Sequence, residues 1–316
     1  MRPQIAFCGL LLTVAANVHA DQTPADWLET TAFAGHQTDY SGVFVYQYDN
    51  HVETSNIIHV IEPSGEYEKL ESLDGPQREI LRHDGQFWSY RNHKMVQVGS
   101  EHERGGFPFL LPEQLSALSS NYQSRLLGTE RVAGYNTQVI LFQPRDNMRY
   151  AQKLWVHTDS GLLLKASVLG DRNKTVEQYA FTQLQIGGNI DRSWVKECGA
   201  HGKAGLKDEN NDITPTNSGW VADTLPSGFK KTMEILRRMH GKHAPVTQIV
   251  YSDGLSAISV FIEPNDHDED DADGLTSRGA VNLYRKVLDQ NLITVVGEVP
   301  PRTVMLVLDS VRYNGK

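Results

Sequence analysis

Runs of β-branched and aromatic residues return about every ten positions along much of this chain, and that interval sets its fold class. From Ser41 the runs are Val43 to Tyr48, Ile57 to Ile61, Glu66 to Ser72, Gln86 to Tyr90 and Met95 to Gly99. Turn signals separate them: Asp49-Asn50, Pro63-Ser64-Gly65, Asp74-Gly75-Pro76, Asp84-Gly85 and Arg91-Asn92. Parallel strands need crossover connections of about a dozen residues or more. These turns are too short for that, so the spacing predicts a large antiparallel meander. A less regular stretch from Gly105-Gly106-Phe107-Pro108-Phe109 through Leu118 reads as a loop leading into a short helix. Strand texture resumes at Gln123 to Leu127, Asn136 to Gln143, Lys153 to Thr158, Leu162 to Leu169 and Thr175 to Ile186. Ahead of the first strand, Trp27, Leu28, Thr31, Ala32 and Gly35 recur at helical spacing behind Pro24, which predicts one amphipathic helix from Pro24 to about Gln37.

The first twenty residues stand outside the fold. Arg2, an apolar run from Ile5 to Ala16 and then Val18-His19-Ala20 read as a Sec-type signal peptide cleaved after Ala20, which implies a periplasmic protein. The run is well short of the roughly 20 residues a spanning helix needs. Cys8 follows Phe7 where a lipid-modified cysteine needs a small residue, so a lipid anchor is not expected. Cleavage leaves Cys198 as the one cysteine, so no intrachain disulfide can form and stability must come from buried cores. About 300 residues exceed what one core usually supports, and five Trp with twelve Tyr can help fill two.

Residues 196–218 supply the boundary. Gly199, Gly202, Gly205, Asp208 to Asp212 and Thr214-Pro215-Thr216-Asn217 carry few apolar side chains and read as a linker. The expected organisation is a first domain over 21–195 and a second over 219–316. In the second, Gln248 to Ser252 and Ala257 to Ile262 flank the hairpin signal Asp253-Gly254. Ala280 to Leu288 and Leu292 to Glu298 flank Asp289-Gln290-Asn291. Pro300-Pro301 opens a last helix with Val304, Leu308 and Val311 on one stripe, giving a small antiparallel sheet with helices.

Chemistry is sparse. A net charge of -9 without a Lys/Arg-rich run excludes nucleic acid as an expected partner but leaves a basic segment open. Asp266-His267-Asp268-Glu269-Asp270-Asp271-Ala272-Asp273 fails the calcium-loop spacing, because the required Gly falls on Asp271 and the terminal Glu on Ser277. It reads as a solvated hairpin loop between Ile262 and Ala280. His240-Gly241-Lys242-His243 lacks the four-residue spacing of helical metal ligands and reads as a solvated helix end. There is no G-x-S-x-G elbow; Ser160 sits in a turn and Cys198 in the linker, and no phosphate-binding glycine motif occurs. No enzyme, cofactor or metal site is expected.

Several strands are apolar on both faces, as in Val43-Phe44-Val45-Tyr46 and Lys153-Leu154-Trp155-Val156. A sheet covered on both sides explains this, and so does a curved sheet whose concave face holds a lipid-like ligand. Periodicity favours the first.

The order of motifs resembles the RseB/MucB family. Asp26-Trp27-Leu28 followed by Tyr40-Ser41-Gly42-Val43-Phe44-Val45-Tyr46 is similar to its amino-terminal domain. Gly219-Trp220, Leu225-Pro226-Ser227-Gly228-Phe229, Tyr251-Ser252-Asp253-Gly254-Leu255 and Ser259-Val260-Phe261-Ile262-Glu263 are similar to its second. The resemblance implies an α+β protein: a large antiparallel half-barrel sheet closed by helices, similar to LolA and LolB, plus a smaller carboxy-terminal sheet-and-helix domain. It raises the ligand-cavity reading above the covered-sheet one. It also implies a negative regulator of the sigma-E/AlgU envelope-stress response, binding the periplasmic domain of a transmembrane RseA/MucA-like anti-sigma factor and shielding it from regulated proteolysis. Lipopolysaccharide, another acylated ligand or mislocalised lipoprotein is the implied signal. A lipid or lipoprotein carrier is the alternative, though it leaves the second domain without a role; a homodimer stays open. The expected lipid-facing group is Phe44, Tyr46, Leu81, Phe87, Trp88, Trp155 and Leu163, all large apolar residues of the first domain. The expected partner surface is Phe229, Tyr251, Ser252, Leu255 and Phe261, with domain core as the competing role for Phe229 and Phe261.

Overall fold

A computed structural model describes residues 23–83, 86–91, 94–99, 107, 118–196, 206–207, 213–239, 244–265 and 274–315. The expected signal peptide, Cys8, Cys198, His240 to His243 and the Asp266 to Asp273 tract lie outside the described residues. Helix α1 (Pro24–Gln37) starts where the sequence signals it. Thr23 caps it, accepting from the Asp26 amide while Asp26 accepts from the Thr23 amide, and Pro24 fills the first turn.

The large sheet runs β1 (Tyr40–Tyr48), β2 (His51–Glu62), β3 (Gly65–Ser72), β4 (Glu79–His83), β5 (Gln86–Arg91), β6 (Lys94–Gly99), β7 (Tyr122–Val132), β8 (Tyr135–Pro144), β9 (Ala151–His157), β10 (Leu163–Leu169) and β11 (Thr175–Ile186). A two-residue strand, β12 (Leu206–Lys207), pairs in parallel with β6; every other pairing is antiparallel. The spatial order is β12-β6-β5-β4-β3-β2-β1-β11-β10-β9-β8-β7, so the last strand of the meander closes back beside the first. The sheet curls strongly. β7 touches β11 across three intervening strands, the Tyr135 hydroxyl on β8 donates to the Leu184 carbonyl on β11, and α1 lies on the inner side against β7 and β10. Short helix α2 (Leu118–Asn121) precedes β7, and a helical turn, α3 at 193–196, follows β11.

The second sheet contains β13 (Ile213–Pro215), β15 (Lys230–Arg237), β16 (Val246–Ser252), β17 (Ala257–Pro264), β20 (Asn291–Gly297), β19 (Val281–Leu288) and β18 (Gly274–Arg278), in that spatial order. Helix α4 (Pro301–Asp309) covers one face through Val304, Val307 and Leu308. β14 (Trp220–Ala222) and β21 (Val311–Tyr313) pair beside it.

Four expectations change. β4, β15 and β18 are strands the sequence reading did not separate from loops; β18 adds Gly274 to Arg278 to what reads as a solvated hairpin loop. Val311 leaves the α4 stripe, because the helix ends at Asp309 and Val311 starts β21. Residues 213–215 pair with β15, so part of the expected linker is an edge of the second sheet. Asp253-Gly254 is not a primed two-residue turn: only Gly254 has positive φ, and the Asp253 carboxylate holds the turn by accepting from the Leu255 and Ser256 amides.

Candidate functional site

Register fixes which side chains share a face of the large sheet. Tyr40, Phe44, Tyr46 and Tyr48 alternate onto the inner face of β1, opposite Tyr179 and Phe181 of β11. Their rings form a continuous row. Phe44 lies 5.9 Å from Phe181, Tyr46 stacks on Tyr179 at 4.3 Å, and Tyr48 follows at 4.9 Å from Tyr46. Phe107 packs onto this row, stacked on Tyr179 at 5.5 Å and 5.2 Å from Phe44. The inner face is therefore aromatic, and its rings pack against each other.

Only part of the expected lipid-facing group lies there. Phe44 and Tyr46 do, and the β4–β5 register puts Phe87 on that face too, opposite Arg82. Leu163 is fully buried at the β9–β10 bulge, within the same core. Leu81 and Trp88 pair with each other on the outer face, where Tyr67, Ile190 and Trp194 seal them into a separate core. Although it is buried and belongs to the same core cluster as Leu163, Trp155 has outer-face parity as well, opposite Val139 and Lys165. There Lys153 and Lys165 sit 4.5 and 4.3 Å from its ring and Glu130 accepts from its Nε1 at 2.7 Å. Residue size selected these positions, but strand parity separates them.

At the β1 end the aromatic row meets the second domain. Glu177 on β11 accepts from the Tyr46 hydroxyl at 3.1 Å and from the Ala280 amide at 3.0 Å. Burial pushes the Glu177 carboxyl above its ordinary range, against the opposing effect of the Ala280 and Tyr46 hydrogen bonds. Arg278 donates to the Tyr48 hydroxyl and lies over its ring, and the Gly279 amide donates to Asp49.

A second set of contacts joins the domains through the β8–β9 loop. The Arg149 Nε donates to Asp253 at 2.6 Å, and both side chains are fully buried. The same guanidinium donates to Asp146 and to the Ser227 carbonyl, and packs over the Phe229 ring. Tyr122 donates to Asp253 at 3.0 Å. On either side of Arg149, the Met148 carbonyl accepts from Thr303 and the Tyr150 hydroxyl from Asn282. Gly228 has φ +81 and a side chain there would stand 2.1 Å from the Asn121 amide nitrogen, so only glycine lets the 225–229 segment approach α2.

This joint absorbs most of the expected partner surface. Leu255 is inserted in the core of the first domain, Phe229 and Tyr251 are buried, and Ser252 holds the turn by bonding the Ser256 carbonyl and the Gly254 amide. Phe261, half-buried, lies on the sheet face away from α4, the face the β16–β17 register also gives to Ser252. Arg149, Asp253, Glu177 and Gly279 were not singled out from sequence. Asp253 carried a signal, but as a turn residue; Arg149 sits in an aperiodic segment.

The described residues include one Ser–His contact, His157 Nδ1 to Ser160 Oγ at 2.8 Å. It belongs to the β9–β10 turn, where Ser160 Oγ also accepts from the Leu162 amide and Asp159 is 3.9 Å from the ring and almost wholly exposed. Among the described residues no cluster of His, Cys, Asp and Glu could hold a metal, and no helix is long and apolar enough to cross a membrane.

Fold and joint together define a two-domain α+β protein, a curved half-barrel sheet locked to a smaller sheet-and-helix domain. The family models for the MucB/RseB N-terminal and C-terminal domains match residues 23–198 and 214–312, and the chain belongs to the MucB/RseB family. It is 33% identical to the sigma factor AlgU regulatory protein MucB of Pseudomonas aeruginosa, over 96% of this chain and 95% of that one. It is 25% identical to the sigma-E factor regulatory protein RseB of Haemophilus influenzae, over 87% and 86%. The structure of MucB in complex with MucA(peri) matches it with a TM-score of 0.72 at 31% identity, covering 93% of this chain and all of that one.

Proposed function

We propose that this chain is a periplasmic, non-enzymatic regulator that binds the periplasmic region of a transmembrane anti-sigma factor and shields it from regulated proteolysis. Its family membership across both domains carries this reading, together with its likeness to MucB bound to MucA(peri). The apolar leader ending in Val18-His19-Ala20 supports export. The inner aromatic face supports a second role, sensing an acylated ligand such as lipopolysaccharide or mislocalised lipoprotein. Phe44, Tyr46, Phe87 and Leu163 remain in the candidate acyl-contact group, joined by Tyr179 and Phe181. Each methylene buried there contributes about 0.8 kcal/mol. Phe261, on the sheet face away from α4, is the remaining candidate for partner contact.

The test is cleavage of the anti-sigma periplasmic segment by the first protease that acts on it, with and without stoichiometric mature protein. Slower cleavage in the complex is the expected result. Unchanged kinetics at saturating protein would contradict the shielding role.

A further inference from the structure

The turn between β18 and β19 is built unlike an ordinary surface hairpin. Arg278 still pairs with Val281 and the Ala280 carbonyl still accepts from Asn282, but three groups of the turn reach the first domain. The Arg278 guanidinium donates to Tyr48, the Gly279 amide to Asp49 and the Ala280 amide to Glu177. Ala280 is wholly buried. Gly279 has φ +57, and a side chain there would stand 2.9 Å from Glu177 Oε2 and 3.0 Å from Tyr48 Cβ. Glycine is what lets this backbone close onto β1 and β11.

The turn sits at the end of the aromatic row, and one carboxylate joins the two. Glu177 Oε2 accepts both the Tyr46 hydroxyl, whose ring is part of the row, and the Ala280 amide of the turn. The two halves of the interdomain contact also differ in exposure. The Arg149–Asp253 pair is fully buried, whereas Arg278 and Glu53, which pair at 3.1 Å, are both largely exposed. Exposed pairs contribute little and buried ones are costly to break. The contact thus has a buried ion pair at the β8–β9 loop but only an exposed one at this turn, where the buried Glu177–Ala280 hydrogen bond is the latch.

We propose that the Arg278–Ala280 turn is a stopper on the aromatic row: an acyl chain that enters the row displaces the Tyr46 ring, withdraws its hydroxyl from Glu177, and frees the turn. The inference rests on the acyl-binding reading above and adds the element of the second domain that responds. The shared chemistry is an acyl chain, whether from lipopolysaccharide or from a lipoprotein.

A disulfide lock tests it. A Cβ at Gly279 lies 3.6 Å from the Glu177 Cβ, within the roughly 3.5–4.5 Å that a disulfide spans. Glu177→Cys removes the Oε2 that a side chain at 279 would meet, leaving the 3.0 Å approach to Tyr48 Cβ. Glu177→Cys with Gly279→Cys, in a Cys198→Ser background, is therefore compared oxidised and reduced in the same mature protein after thiol titration has shown the bond formed. Failure to form it under oxidant would show that the turn does not sit closed on Glu177 and would overturn the stopper. The probes are purified lipopolysaccharide and a synthetic diacylated lipopeptide, each titrated separately. Binding at least about tenfold weaker in the oxidised form than in the reduced form is expected for the probe that is the signal. If wild type binds a probe and oxidation changes nothing, the stopper is overturned while acyl binding stands. If wild type binds neither probe, the acyl reading itself fails, and the stopper with it.

The second arm needs no new cysteine. Hydrogen exchange at the Ala280 amide should speed up when a bound probe saturates wild type. Tyr46→Phe keeps the ring and removes the hydroxyl, and without lipid it should raise that exchange by about tenfold, the effect of losing one hydrogen bond to a carboxylate. Exchange at Ala280 that ignores both changes would overturn the coupling.

Discussion

Asp253 shows how one side chain can fix a turn and a domain joint together. Its carboxylate accepts from the Leu255 and Ser256 amides, from Tyr122 and from Arg149, so every oxygen is engaged although the group is out of water. Removing one partner of such a pair leaves a buried charge, which costs about 3–5 kcal/mol. Arg149→Met is therefore expected to lose about that much in chemical denaturation, and adding Asp253→Asn should restore part of it. Strict additivity of the two losses would show that the pair is not coupled. Glu66 makes a different residue-scale prediction. Burial alone would raise its carboxyl, but hydrogen bonds from His36 and His59 and the nearby Arg82 hold it well below the ordinary carboxylate range. A lowered folded-state value stabilises the protein above the unfolded value of about 4.5 and is lost as pH falls below it. Wild type should lose stability more steeply than Glu66→Gln as pH drops from about 4.5, and parallel acid-unfolding curves would contradict this assignment.

At the scale of elements, the β16–β17 connection works as a peg. Leu255 leaves its own sheet to enter the core that contains Phe142, Leu154 and Leu164. Leu255→Ala is expected to cost about 2–5 kcal/mol and to separate the denaturation of the two domains into distinguishable steps. A single transition with an unchanged midpoint would show that the peg is not needed. The elements also show what sequence can carry. Helix α1 and strands β1, β8, β10 and β11 were legible because a capping residue, a turn signal or an uninterrupted apolar run marks each. β4 and β18 were not, since Glu79-Ile80-Leu81-Arg82-His83 is short and does not alternate, and Gly274 to Arg278 is mostly exposed. Nor does a single sequence tell Leu81, Trp88 and Trp155 from Phe44. All four are large and on strands, and only the pairing register sends three of them to the outer face. The 225–229 and 251–255 motifs were visible as a resemblance, but their physical role was not, because Arg149 and Asn121 lie about a hundred residues away and no local pattern links them.

For the whole molecule, two cores joined by a buried ion pair and an inserted leucine make one unit in which the second domain can feel the first. That arrangement suits a regulator better than a carrier, since a carrier has no use for a domain pegged to its sheet. The measurement that bears most directly on this account is calorimetric binding of the mature protein to the periplasmic segment of an anti-sigma factor from the same genome, with and without lipopolysaccharide. The account predicts a tight one-to-one complex that weakens when the lipid is present. Lipid binding with no binding of the segment would contradict it and leave a lipid carrier in its place.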